Sequence, residues 1–222
     1  KRIILNEIKI KNLDLLDNLK LNIIKELTSK KFFLSNLRFR RAQINSKEVE
    51  ANDIFFAIKG KKKDGNKFVE QSFKKKASLA IVNTIQKKLD KKRQIKVKNT
   101  LKFLTEISKI FRKSISTKII AITGSCGKTT LKELLGNSFK KISKVSISPK
   151  SFNNKYGVPL SLFNLSPNDD YGVLEVGMDK KGEIDQLSKI IKPDVSVITN
   201  INYAHAKNFK NIKDIALAKS EI

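Results

Sequence analysis

The residues best suited to chemistry lie in one short stretch, AITGSCGKTT, at positions 121–130. An apolar run over 118–122 leads into a glycine-bounded turn, and a helical pattern begins at Lys128. Such a turn brings free backbone N–H groups and the positive end of a helix dipole to a phosphate. A lysine here binds the outer phosphates, and the hydroxyl that follows is a Mg²⁺ ligand. The predicted nucleotide-binding residues are Gly124, Ser125, Cys126, Gly127, Lys128, Thr129 and Thr130.

Other polar residues follow later strands of the same predicted sheet. Glu175 ends the apolar run YGVLEV (171–176), and Asn200 and His205 follow the run at 195–199. The carboxyl ends of parallel strands meet at one edge of a sheet, where α/β proteins bind ligands. A carboxylate in an apolar strand is costly unless it is paired or bound to a metal. We therefore interpret Glu175 as a metal ligand, and His205 as a metal ligand or a donor to phosphate.

The elements that position these residues alternate between strand and helix, which predicts an α/β fold with parallel sheets. We expect a small N-terminal α/β domain with its linker over 1–98 and a parallel-sheet nucleotide-binding domain over 99–222. The charged stretch 86–98 is predicted to be a linker or a surface hairpin. The predicted strands are 41–46, 54–59, 77–82, 118–122, 145–147, 171–176 and 195–199, and the predicted helices are 67–76, 99–113, 128–141, 159–164, 182–191 and one that begins near 212.

Composition narrows the class of protein. The chain has 222 residues, 40% of them hydrophobic and 31% charged, which is typical of a soluble globular protein. No apolar run reaches the roughly 20 residues that span a bilayer, and no signal peptide opens the chain. The single cysteine excludes an internal disulfide and suits a reducing compartment, so we expect a cytoplasmic location. The chain begins without methionine and stops inside a helical pattern, so we interpret it as a fragment.

The net charge of +26 suggests nucleic-acid binding as an alternative. Only six of the 47 basic residues are arginine, however, whereas recognition of phosphates and bases favours arginine. The lysines are scattered along the whole chain. We therefore interpret the charge as ordinary solvated surface and expect no nucleic-acid partner, with a basic nucleic-acid-binding NTPase as the alternative from a different class.

At this point the sequence resembles the ATP-dependent Mur ligases over about residues 40–222. In that family a modified phosphate loop is usual, which accounts for Ile122 where the strict P-loop pattern requires glycine. The stretches that carry the resemblance are INSKEVEANDIFFAIKGKKKDGNKFVEQS (44–72), TGSCGKTT (123–130), SFNNKYGVPLSL (151–162), LEVGMDKKGEI (174–184), ITNINYAHAKNF (198–209) and IALAKSEI (215–222).

The resemblance implies roles for particular residues. Lys128 would hold the ATP phosphates, Asn154 and Asn200 would lie near the nucleotide, and ATP and Mg²⁺ would be the cofactors. Lys219 falls where the family carries a carbamylated lysine that helps to hold a second Mg²⁺. The implied catalytic residues are Lys128, His205 and Lys219, and the implied metal ligands are Thr129, Glu175, His205 and, if carbamylated, Lys219.

For the first domain, the resemblance implies a site for a UDP-linked sugar peptide. The implied substrate-binding residues are Ser46, Lys47, Lys59, Gly60, Asp64 and Asn66. Two of them depart from the family, which usually has Asp-Ser-Arg where this chain has Asn45-Ser46-Lys47 and often has histidine at Asn66. Lysine does not replace arginine at a bidentate contact, so recognition of the sugar peptide is expected to differ in detail.

The implied activity is the ATP-dependent joining of D-alanyl-D-alanine to UDP-N-acetylmuramoyl-tripeptide through an acyl phosphate, a step of peptidoglycan precursor synthesis. Within the same superfamily, another Mur ligase or a folylpolyglutamate-type enzyme is the alternative. We expect a three-domain monomer with no membrane insertion when full length, and we expect the present fragment, without the third domain, to be inactive.

Overall fold

The computed structural model describes residues 19–28, 38–60, 63–203 and 208–222. Within these ranges the chain forms two four-stranded sheets, each made of parallel strands. The strands are β1 (Ala42–Gln43), β2 (Ile54–Phe56), β3 (Leu79–Val82), β4 (Gln94–Lys96), β5 (Lys118–Thr123), β6 (Val145–Ile147), β7 (Tyr171–Glu175) and β8 (Val195–Ile198). The helices are α1 (Leu19–Thr28), α2 (Val69–Lys74), α3 (Thr100–Ser114), α4 (Lys128–Phe139), α5 (Gly157–Asn164), α6 (Glu183–Ile191) and α7 (Ile212–Lys219). This confirms the predicted α/β class.

The first sheet has the strand order β1-β2-β3-β4, so each strand lies beside the next one in the chain. Its side chains alternate between two faces. Ile54 and Phe56 point into the main core, whereas Phe55 and Ala57 pack under α2 with Val69. This alternation is the period of two that a strand imposes, and it buries both faces of the sheet.

The predicted linker or hairpin over 86–98 is wrong in part, because residues 94–96 form β4. β4 runs parallel to β3, with Gln94 opposite Ala80 and Ile95 opposite Ile81. A hairpin would be antiparallel. Charges on both sides of Ile95 hid the strand, yet Gln94 and Ile95 are buried, and the Gln94 amide bonds to the backbone of Gln86 and Asp90.

The second sheet has the order β6-β7-β5-β8, so the chain leaves β5 in one direction and later returns to pair on its other side. α4 packs on one face through Leu131, Leu135 and Phe139, which meet Ile120 and Ile122. Leu134, by contrast, is 61% exposed. It lies outside the stripe that faces the sheet.

The other face of the second sheet is covered by α3, α5 and α6, which belong to the main core. α3 is capped by Asn99, whose side-chain oxygen accepts a hydrogen bond from the Lys102 backbone N–H. It contacts α1, α5 and α6 and also reaches β2. One continuous apolar core therefore joins the inner faces of both sheets. None of the described helices is long and apolar enough to cross a membrane.

Candidate functional site

The turn between β5 and α4 has a backbone that glycine alone adopts readily. Gly124 has φ +148°, and a Cβ built on it would lie 1.9 Å from the Thr199 hydroxyl oxygen. Gly127, with φ +78°, lies immediately before the first residue of α4. Side chains other than glycine are strained at such φ values. The sequence therefore builds a tight loop against the end of β8, with the N-terminus of α4 at its base.

The backbone N–H groups of this loop are held by the segment after β8. The Asn200 side-chain oxygen accepts hydrogen bonds from the N–H groups of Ser125 and Cys126, at 3.1 and 3.0 Å. Lys128 Nζ donates to the Gly124 carbonyl at 2.9 Å. An amide oxygen thus lies where the donors converge, which shows that the loop presents two N–H groups to a single acceptor.

Glu175, at the end of β7, lies beside the first turn of α4. The Thr129 hydroxyl donates to Glu175 Oε2 at 2.7 Å, and the Asn153 amide donates to Glu175 Oε1 at 2.7 Å. The Glu175 backbone N–H is bonded to the Ser148 hydroxyl at 3.1 Å. Glu175 is only 2% exposed and forms no ion pair among the residues that the structure describes. A buried carboxylate that has hydrogen bonds but no positive partner is a good ligand for a cation.

Lys219, near the end of α7, completes the group of polar residues. It is 2% exposed, and it lines the same cleft as Lys128. Burial, together with the positive charge of Lys128, lowers the pKa of Lys219 to about 8. The neutral amine, which is the form that reacts with carbon dioxide, is therefore more populated near neutral pH than in an exposed lysine.

A cleft of about 1190 Å³ opens beside the phosphate loop. Its walls are formed by α3, by α6 and by the loops that follow β6 and β7. Lys128 and Lys219 line it together with five more lysines, at 102, 109, 155, 180 and 181. The cleft is large enough for a sizeable ligand, and its charge favours an anionic one.

Comparison with known proteins identifies the family. Residues 39–112 match the "Mur ligase family, catalytic domain", and residues 122–222 match the "Mur ligase middle domain". The chain belongs to the Mur ligase family.

Relatives of this Mur ligase chain carry a more specific name. The UDP-N-acetylmuramoyl-tripeptide–D-alanyl-D-alanine ligase of Rickettsia prowazekii is 35% identical over 85% of this chain and 42% of its own length. The enzyme of that name in Bacillus subtilis is 35% identical over 80% of this chain and 39% of its own. The chain thus spans less than half the length of these relatives.

Solved structures agree with the fold of this Mur ligase. MurF from Acinetobacter baumannii has a TM-score of 0.77 and 34% identity, over 90% of this chain and 45% of that one. MurF from Thermotoga maritima, solved in complex with ADP, has a TM-score of 0.70 and 34% identity, over 85% of this chain and 44% of that one.

The structure brings several predicted site residues of this Mur ligase together. Lys128 and Lys219 line the same cleft, Thr129 is bonded to Glu175, and Asn200 contacts the phosphate loop directly. Thr130 is exposed on the first turn of α4. His205 lies outside the described residues.

The neighbouring Asn153 and Asn154 have different surroundings. Asn154 lines the cleft, but its side-chain oxygen accepts from the N–H groups of Tyr156 and Gly157 at the start of α5. Asn153 donates to Glu175 and was missed. The adjacent Asn-Asn pair was the available signal, but sequence alone does not tell which of the two faces the carboxylate. The nucleotide role of Asn154 stays a prediction.

The residues predicted to bind the sugar peptide follow β1 and β2, at the carboxyl edge of the first sheet. Ser46 is buried, with its hydroxyl bonded to Gln71 Oε1 at 2.7 Å, whereas Lys47 and Lys59 are exposed. Gly60 and Asp64 take part in the loop after β2, where Asp64 caps a 3-10 turn.

Asn66 is buried, and both the oxygen and the nitrogen of its side-chain amide are hydrogen-bonded. Its side-chain oxygen accepts from the N–H groups of Asn83 and Thr84, and its amide donates to Asp64. These bonds hold the loop after β2 to the end of β3. Its substrate role, like those of its neighbours, stays a prediction.

The donor set around Glu175 fits Mg²⁺. Carboxylate and hydroxyl oxygens are the ligands that Mg²⁺ prefers, and it takes phosphate oxygens and waters to complete its shell. Glu175 and Thr129 offer two such oxygens next to the phosphate loop. Within the described ranges no group of three His, Cys, Asp or Glu side chains converges, so a protein-only cage for a metal is absent there. The arrangement suits a cation that arrives with phosphate.

Proposed function

We propose that this protein is an ATP-dependent carboxylate–amine ligase that joins D-alanyl-D-alanine to UDP-N-acetylmuramoyl-tripeptide in the cytoplasm. The observation that carries the proposal is the 2.7 Å bond between Thr129 and the buried Glu175, directly beside the phosphate loop. The names of relatives at 35% identity and the ADP complex of a MurF of similar structure support the choice of substrates.

The reaction begins with a carboxylate that attacks a polyanion, so the repulsion between the two must be cancelled. Lys128, released from the Gly124 carbonyl, would place its ammonium on the outer phosphates of ATP. The N–H groups of Ser125 and Cys126 would receive phosphate oxygens in place of Asn200. Positioning and charge neutralisation of this kind carry most of the catalysis in phosphoryl transfer.

Thr129 and Glu175 would hold Mg²⁺, with a carbamate on Lys219 as a further ligand. When bound, the metal neutralises phosphate charge and orients the transferring group. The buried, poorly solvated amine of Lys219 suits carbamate formation, because this reaction needs the neutral amine.

The overall reaction balances without a redox partner. The γ-phosphoryl group moves from ATP to the terminal carboxylate of the tripeptide, which gives ADP and an acyl phosphate. The amine of D-alanyl-D-alanine then attacks the acyl carbon, and phosphate leaves as the amide forms. The cleft beside Lys128 is the space in which the tripeptide and D-alanyl-D-alanine would meet. Its walls would exclude water from the acyl phosphate.

Replacement of Lys128 tests the proposal. We expect Lys128→Ala in the full-length protein to lower kcat for phosphate release at least about 100-fold, since a preorganised charge at the transferring group is lost. Lys140→Ala, on an exposed residue at the end of the same helix, is the matched control. Near-normal turnover by Lys128→Ala would contradict the site. Activity with other acceptor amines but not with D-alanyl-D-alanine would point to another ligase of the superfamily.

A further inference from the structure

The helix that follows the phosphate loop buries a lysine. α4 has two fully buried residues, Lys132 and Gly136, and Lys132 is 0% exposed. Gly136 allows the close approach, because a Cβ there would lie 2.2 Å from Ile147 Cδ1 at the end of β6. Lys132 lies one turn before Gly136 and therefore faces the backbone that leaves β6.

The Lys132 ammonium has three oxygen atoms within 3.2 Å. Nζ donates to the carbonyl oxygens of Ser148 and Lys150, at 2.7 and 2.6 Å, and it lies 3.2 Å from Glu133 Oε1. A buried ammonium is tolerated only when it is fully hydrogen-bonded, and bonds from a charged donor are stronger than neutral ones. Lys132 therefore fixes the backbone of residues 148–150 against α4.

The segment held in this way supports the carboxylate of the site. The Ser148 hydroxyl accepts the hydrogen bond from the Glu175 backbone N–H. Three residues beyond Lys150, the Asn153 amide donates to Glu175 Oε1, and the Asn153 carbonyl accepts from the Gly177 N–H at 2.7 Å. Both ends of the 148–153 segment thus contact the end of β7.

The same segment has a backbone that needs external support. Lys150 has φ +48°, a left-handed conformation that is unfavourable for a residue with a side chain. Its carbonyl is one of the two that Lys132 binds, and its ammonium reaches Glu48 Oε1 of the first-sheet region at 3.0 Å. Without the Lys132 ammonium, this turn would lose its main polar anchor to α4.

We propose that Lys132 is a positioning residue for the nucleotide site. Its ammonium holds the 148–153 segment so that Asn153 and Ser148 keep Glu175 directed at Thr129. The proposal rests on the proposed function, because it assigns Lys132 a role in the alignment of that site. Lys132 itself is fully buried and is not among the residues that line the cleft.

The test compares Lys132→Met, Lys132→Arg and the control Lys140→Met in the full-length protein. Methionine keeps the length and volume of the side chain but leaves the two carbonyls unpaired, whereas arginine keeps a charged donor. We expect Lys132→Met to lower kcat at least tenfold at a temperature well below its Tm and to weaken Mg·ADP binding, measured by calorimetry. The KM for D-alanyl-D-alanine should change less than twofold, and Lys132→Arg should recover part of kcat.

A purely structural role predicts another result. In that case Lys132→Met would lower Tm but leave kcat and the Mg·ADP affinity per folded molecule equal to those of the Lys140→Met control, and the proposal would be overturned. If the wild type shows no ligase activity, the proposed function fails, while the Mg·ADP affinities still decide the role of Lys132.

A second variant covers the case in which Lys132→Met does not fold. Ser148→Ala removes the acceptor for the Glu175 N–H but keeps the Ser148 carbonyl bonded to Lys132. We expect a smaller loss in the same direction, about threefold to tenfold in kcat. Unchanged kcat and Mg·ADP affinity in Ser148→Ala would show that the 148–153 segment does not align Glu175, and this result would also overturn the proposal.

Discussion

Both sheets are made of four parallel strands, yet the polar residues at their carboxyl edges are arranged differently. In the second sheet the strand order reverses around β5, and the polar residues after β5, β7 and β8 contact one another across strands. In the first sheet the order is sequential, and the buried polar residues after its strands bond to the element that comes next, as Ser46 does to Gln71 of α2 and Asn66 does to Asn83 after β3. A reversal of strand order opens a crevice between the loops of neighbouring strands. Topology thus accounts for the position of the phosphate loop at the edge of the second sheet.

The first sheet offers the largest expected loss of stability. The Asp53 side chain is 0% exposed and lies within 3.3 Å of the guanidinium groups of Arg40 and Arg41. It also accepts from the Glu50 N–H. Asp53→Ala leaves the Glu50 N–H without this acceptor and leaves both arginines paired with Glu50 alone, so we expect the free energy of unfolding to fall by about 3 kcal/mol. Urea unfolding measures this loss.

The nucleotide site should be unaffected by that change. We expect the Asp53→Ala variant, at a temperature where it is folded, to bind Mg·ADP as the wild type does. A large loss of affinity would mean that the polar network of the first sheet is coupled to the second, and the contrast between the two edges would fail.

In the second sheet, the variant Gly124→Ala should show the opposite result, in which Mg·ADP affinity is lost more than stability. The added methyl group meets the Thr199 hydroxyl, and the φ of +148° is strained for alanine. The strain amounts to about 1–3 kcal/mol, so we expect Mg·ADP affinity to fall about 10–100-fold. Calorimetric titration gives the affinity, and Gly182→Ala is the matched control, because Gly182 also has positive φ but nothing within 4 Å of its Cβ position.

The smallest expected effect is on the pH dependence of stability, and it arises at Lys20 in the core that both sheets share. Lys20 of α1 is 7% exposed, and its ammonium lies 5.0–5.8 Å from the ring centres of Phe39, Phe111 and Phe163. Burial lowers the pKa of Lys20 to about 7, although the nearby carboxylate of Asp169 raises it. Between pH 7 and 10.5 the unfolded chain therefore binds more protons at this residue than the folded chain does.

Stability must then rise with pH in this window, and the contribution of Lys20 becomes constant below the folded pKa, where both states are protonated. The expected contribution of Lys20 is about 1.4 kcal/mol per pH unit. In Lys20→Met this contribution disappears. The free energy of unfolding of the variant, relative to that of the wild type, should therefore fall from pH 7 to pH 9. Urea unfolding at pH 7, 8 and 9 measures the difference. Parallel curves for the two proteins would show that Lys20 stays charged among the rings.

Local patterns were sufficient for much of the fold. The apolar run before Gly124 predicted β5, and the helical spacing of apolar residues over 99–113 predicted α3. Each of these signals lies within a single element, so it can be recognised without knowledge of the tertiary structure. β4 was missed because its apolar content is a single isoleucine, and its burial depends on β3, which lies more than ten residues earlier.

The site was predicted less completely for the same reason. The phosphate loop and Glu175 follow from strand and turn patterns, but Asn153 and Lys132 act through partners that are distant in sequence. Asn153 meets Glu175 across 22 residues, and Lys132 meets Ser148 across 16. A lysine on a helix is normally a surface residue, so its burial here depends on carbonyls that no local pattern indicates.

The bonded state of the phosphate loop has a kinetic and calorimetric consequence. Its N–H groups already donate to Asn200, and Lys128 already donates to Gly124. An incoming phosphate would therefore exchange hydrogen bonds instead of adding them, so we expect a small binding enthalpy and an affinity that comes mostly from the charge of the nucleotide. Opening of the 199–202 segment must precede or accompany binding. At high nucleotide concentration the observed association rate should level off at the rate of that opening.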